Sequence, residues 1–99
     1  MSVAYIEEFS KIGSDINGQF MQIAEQPSVA QQAVTFSTST ASAAFNTLTR
    51  FVKITVDTEA HYVFGAAPTA TTSYPQMIAD REYWFKVTAG QKVAFINAV

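Results

Sequence analysis

The stretch Arg50–Gly65, RFVKITVDTEAHYVFG, constrains the fold more than any other. In Phe51–Val56 the β-branched Val52, Ile54 and Val56 fall on one face, and Phe51, Lys53 and Thr55 on the other. That period of two indicates a half-buried strand. Asp57, Thr58 and Glu59 read as a solvated acidic turn. Ala60–Phe64 reads as the return strand of a hairpin, with Ala60, Tyr62 and Phe64 on one side. Gly65 ends it, where a Cβ would restrict the backbone.

The same signals recur along the chain. Ser2–Phe9 alternates loosely and reads as a short strand or an extended arm. Ser10–Gly18 has turn chemistry, and Asn17-Gly18 signals a hairpin. Gln19–Glu25 is expected as a strand with Met21 and Ile23 inward, the alternative being a helical turn, and Gln31–Phe36 as another strand. Ser37–Ser42 is a polar loop. Phe45 and Leu48 fit either one helical turn or an irregular approach to the strand at Phe51. A long exposed loop follows Gly65, and Tyr74–Ile78 is extended because Pro75 disfavours helix before it. Ala79-Asp80 is a turn. Arg81–Val87 alternates, with Arg81, Tyr83, Phe85 and Val87 opposite Glu82, Trp84 and Lys86. A tight connection with Gly90 at positive φ leads to the last strand, Lys92–Ala98.

The fold class expected is therefore all-β: a small antiparallel β-sandwich or barrel of about six to eight short strands. Its core should contain Val52, Ile54, Val56, Tyr62, Phe64, Phe85, Val87, Val93 and Phe95. The 99 residues make a single β domain, 1–99, with 1–26 an extended N-terminal arm or peripheral strands.

Composition narrows the function. Charged residues are only 14%, against roughly 25% in soluble domains generally. Such a surface suits a protein that covers itself against neighbours. The six basic residues are scattered and the net charge is −2, so no nucleic-acid partner is expected. There is no cysteine for a disulfide or a thiolate metal site. The opening MSVAYIEEFSK lacks a secretory signal, and no apolar run approaches the ~20 residues of a membrane helix, so no membrane partner is expected either.

No catalytic, cofactor-binding or metal site is expected. His61 has no cysteine or GxSxG serine to serve, and Asp57, Glu59 and His61 fall short of a dedicated ligand set. Glu7 and Glu8 point to opposite faces of a strand and cannot act on one bond together. Trp84, beside Glu82 and Lys86, is core if both faces of the sheet are covered. On an open face it is an interface anchor or a sugar platform.

Several short motifs carry a resemblance. They are Ala44-Phe45-Asn46, Thr49-Arg50-Phe51-Val52, Gly65 with Pro68-Thr69-Ala70-Thr71, Glu82–Val87, Gly90–Ile96, and the opening Tyr5–Phe9. Together they resemble small head proteins of tailed bacteriophages, of the decoration or cement kind. The resemblance implies a non-enzymatic virion component, assembled in the host cytoplasm, that binds the major capsid protein of the finished head. The sparsely charged surface and the surplus of aromatics lead to an expectation of self-association, and the analogy with decoration proteins on threefold sites makes it a trimer. Trp84, Tyr74, Tyr5 and Phe9 are the interface candidates. The competing expectation is a carbohydrate-binding or host-recognition module using Trp84, Tyr83 and Tyr74. A small enzyme is the third.

Overall fold

The computed structural model describes residues 2–14 and 16–98, with the backbone alone for 20–22. Among these residues there are ten strands and no helix: β1 (Ser2–Phe9), β2 (Ile12–Ser14), β3 (Phe20–Ala24), β4 (Ala30–Phe36), β5 (Thr40–Ala41), β6 (Phe51–Val56), β7 (Ala60–Gly65), β8 (Gln76–Met77), β9 (Glu82–Lys86) and β10 (Lys92–Asn97). Two four-stranded sheets, ordered β4-β1-β6-β9 and β5-β10-β7-β8, pack face to face, and β2-β3 stands as a separate pair. Every pairing is antiparallel. The architecture is the expected small all-β fold, in its sandwich form.

Alternation decides what each strand buries. Ala4 and Ile6 of β1, Val34 and Phe36 of β4, and Val52, Ile54 and Val56 of β6 point inward from the first sheet. Ala60, Met77, Val93 and Phe95 meet them from the second. Phe36 and Phe95 stack across the gap with ring centroids 5.5 Å apart. Each fully buried Ile, Val or Phe contributes roughly 1.5–3 kcal/mol through removal from water. Of the expected core, Val52, Ile54, Val56, Val87, Val93 and Phe95 are buried. Tyr62, Phe64 and Phe85 pack against the core only partly buried. Their rings cluster 5.0–5.9 Å apart beside β9, the last strand of its sheet, where no further strand closes the sandwich.

The largest correction concerns Arg50–Gly65. Its two strands form no hairpin: β6 lies in the first sheet and β7 in the second. The acidic turn arches between layers, fixed where Asp57 Oδ1 accepts a hydrogen bond from the Val3 N–H (2.8 Å). The connection at Gly90 (φ 85°) also changes sheets, from β9 to β10. For residues 2–9 the arm alternative is replaced by a central strand, since β1 pairs with both β4 and β6.

Smaller corrections follow from pairing and contact. Within the turn-rich 10–18, Ile12–Ser14 forms a short strand that pairs with β3, and Gly18 turns the chain with φ 81°. Ile23 is exposed rather than inward, because β3 belongs to neither core sheet; the Met21 side chain lies outside the described residues. Thr40–Ala41 of the polar loop pairs with β10, and Ser42 is buried, its hydroxyl donating to Ala43 O and accepting from Val93 N–H. Phe45 is buried and Leu48 exposed, with no helix between them. Gly65 pairs with Lys92 without positive φ, and a Cβ there would meet only ordinary contacts.

Candidate interaction face

The outward residues of the first sheet form one surface, and strand register orders it. One row crosses the sheet as Gln31, Glu7, Lys53 and Trp84, and the next as Ala33, Tyr5, Thr55 and Glu82. Lys53 Nζ lies 3.2 Å from Glu7 Oε1, a half-buried ion pair at the centre of the face. To one side Tyr5, Glu7, Gln31, Ala33, Lys53 and Thr55 line an open groove of about 540 Å³. To the other a second groove, of about 440 Å³, runs between Trp84, Phe51 and Lys53 on one side and the hairpin residues Ile12 and Ile23 with Gln26 beyond them on the other.

Trp84 stands at the rim of this second groove. It is 47% exposed, yet its ring is supported from below: Phe9 stacks on it at 5.8 Å and Phe51 sits at 6.2 Å. Phe9 and Phe51 stack on each other at 5.4 Å. An indole held by two phenyl rings loses little freedom on binding, the property that makes Trp a frequent interface anchor. Tyr5 is 55% exposed on the same face.

The four interface candidates thus separate. Trp84 and Tyr5 share the face. Phe9 is only 1% exposed and is no contact residue: although its side chain points outward, Phe51, Trp84 and the hairpin cover it. Tyr74 is exposed but precedes β8, at the edge of the other sheet. Tyr83, required with Trp84 for a sugar platform, turns inward, and its hydroxyl accepts from the Ile78 N–H (2.9 Å). Ile12, Ile23 and Phe51 complete the aromatic end. Phe51 was legible from its alternation with Lys53, whereas the hairpin residues carried no signal of where the hairpin docks.

The ionisable groups singled out in the sequence serve structure. His61 Nδ1 lies 2.6 Å from Tyr74 O, so this nitrogen carries the hydrogen and donates. With the Ala70 N–H donating to Ser39 Oγ (2.8 Å), this bond straps residues 66–75 over the outside of the second sheet, where Ala94 and Ala70 are buried. Glu8 is 2% exposed, a burial the sequence did not announce. Its Oε1 accepts from the Asn46 N–H (2.8 Å) and the Thr49 hydroxyl (2.7 Å), and its Oε2 from Gln32 Nε2 (3.0 Å). Among the described residues no three His, Asp or Glu side chains converge as metal ligands, and no helix is long and apolar enough to cross a membrane.

No family model matches this chain, and no curated protein or solved structure matches it either.

Proposed function

We propose that this chain is a non-enzymatic virion structural protein, a capsid decoration or cement protein. In this reading it binds the major capsid protein of an assembled phage head and associates with further copies of itself. The observation that carries the reading is the supported, half-exposed Trp84 on an open sheet face that also presents Tyr5. The short motifs from Tyr5 to Ile96 supply the phage setting through their resemblance to small head proteins. A non-catalytic role is favoured because Glu8 and His61 spend their polar atoms on holding backbone segments. A protein that binds the finished shell and not the loose subunit stabilises the shell by mass action, and many copies add through avidity.

Cosedimentation tests this reading. The protein should pellet with purified heads of the encoding phage and stay in solution with unassembled capsid subunits. Trp84→Ala should weaken head binding by about tenfold or more, as expected for an interface anchor. Absence of head binding, together with glycan-array signals that depend on Trp84, would replace the reading with the carbohydrate-binding one.

A further inference from the structure

The two sheets end in four edge strands: β4 and β9 in the first, β5 and β8 in the second. β5 and β8 have two residues each. Gln32 ties β4 to the backbone of Ala43, whose N–H donates to Oε1 (3.0 Å) and whose carbonyl accepts from Nε2 (3.3 Å). β9, Glu82–Lys86, is a five-residue edge with β6 as its strand partner on one side. An uncovered edge is a template for another strand.

We propose that β9 pairs antiparallel with β9 of a second copy, about a two-fold axis at Trp84. The two first sheets then join into one sheet of eight strands. Three observations fix this occupant and register.

The first is ladder parity. The Val87 N–H donates to Arg50 O (3.0 Å), in the register that pairs Phe85 with Val52 and Tyr83 with Ile54. Residues of an antiparallel ladder turn their backbone groups to one side alternately. Tyr83, Phe85 and Val87 therefore face β6, and Glu82, Trp84 and Lys86 offer their N–H and C=O groups to the open edge. A two-fold axis at Trp84 sets these three residues opposite their mates as hydrogen-bonded pairs.

The second is charge. The strand reads Glu82-Tyr83-Trp84-Phe85-Lys86, with opposite charges equidistant from Trp84. Turned about that residue, Glu82 meets Lys86 of the second copy, and Lys86 meets its Glu82. Neither Glu82 nor Lys86 has an ion-pair partner within the chain among the described residues. Opposite charges directly across a strand pair attract, and like charges repel.

The third is the inner face. Tyr83 and Phe85 are only partly buried where the sandwich lies open beside β9. The same register sets Tyr83 against Phe85 of the second copy, an aromatic pair over that opening.

This inference deepens the self-association within the reading above and does not depend on head binding. Sedimentation velocity on four proteins tests it: the parent, Glu82→Lys, Lys86→Glu and the double reversal. The parent should be a dimer. Each single reversal turns two attractive contacts into two repulsive ones and should weaken the dimer by about tenfold or more, with the double reversal restoring it. Circular dichroism checks that each variant folds. A second measurement uses Trp84→Cys, in a chain with no other cysteine. Paired Cα atoms about 5.5 Å apart lie within disulfide reach, so oxidation should yield a covalent dimer, while Tyr5→Cys should not. A monomeric parent, a trimer, or a dimer insensitive to both single reversals would overturn the proposal. Cosedimentation with heads, scored in parallel, keeps the two readings apart. A monomer that decorates heads removes only the β9 pairing, and a dimer of this register that ignores heads removes only the decoration role.

Discussion

Glu8 shows how one side chain organises an irregular segment. Residues 42–50 form no regular ladder of their own before β6 begins, so their backbone donors need partners from elsewhere. The Glu8 carboxylate receives one of those backbone donors, the Asn46 N–H, together with the Thr49 side-chain hydroxyl, and no buried side-chain polar atom among the described residues lacks a partner. Removing such an acceptor leaves buried donors unpaired, at about 1–3 kcal/mol each. Glu8→Ala should therefore destabilise the protein by about 3 kcal/mol, and Glu8→Gln by less because one acceptor oxygen survives. Urea melts decide the matter; a loss under about 1 kcal/mol for the alanine variant would show that the segment is held by Phe45 packing instead. The inward direction of Glu8 was legible only as opposite to Glu7. Its burial depends on donors about forty positions away in sequence, which local alternation does not report.

At the scale of elements, the 66–75 loop illustrates how a segment of small residues is kept in place. Pro68 and its Ala, Thr and Ser neighbours have little apolar area with which to anchor themselves. Hydrogen bonds supply the attachment: His61 to Tyr74 O, the Tyr62 N–H to Pro75 O and the Ala70 N–H to Ser39 Oγ. A neutral hydrogen bond contributes about 0.5–1.5 kcal/mol net, enough to hold a strap without holding the sandwich. His61→Ala should accelerate proteolytic cleavage within 66–75 several-fold while lowering global stability by no more than about 1.5 kcal/mol. Unchanged cleavage would mean that the His61 bond carries no part of the attachment. Strand existence at this scale was largely readable: alternation located β6, β9 and β10, β4 was a strand candidate, and Asn17-Gly18 signalled a hairpin whose first strand, β2, lay in the stretch read as turn.

For the whole molecule, the decisive element is β1, hydrogen-bonded to β4 on one side and β6 on the other. Deleting residues 2–9 should abolish the cooperative unfolding transition, because it strands two neighbours and uncovers the core face that Ala4 and Ile6 help to form. Replacing 12–24 by a short linker should leave the sandwich folded, since the hairpin pairs only with itself and covers the outside at Phe9. Amide exchange and thermal melts of the two variants test the contrast; a folded protein lacking 2–9 would restore the arm reading. By itself the sequence determined the all-β class, the inward face of β6, β9 and β10, and that Trp84 points opposite to Tyr83 and Phe85, though not whether that face is open. Those properties follow from side-chain period, which a single strand already contains. The tertiary structure decided which strands are neighbours. A short turn such as Asp57–Glu59 joins two strands equally well within one sheet or across two layers. Here β1 occupies the place beside β6 that β7 would take in a hairpin, and β7 pairs with β10 in the opposite layer. The same placement makes β9 an edge, supports Trp84 on Phe9 and Phe51, and buries Glu8, because these contacts join residues that only the completed sheet order brings together.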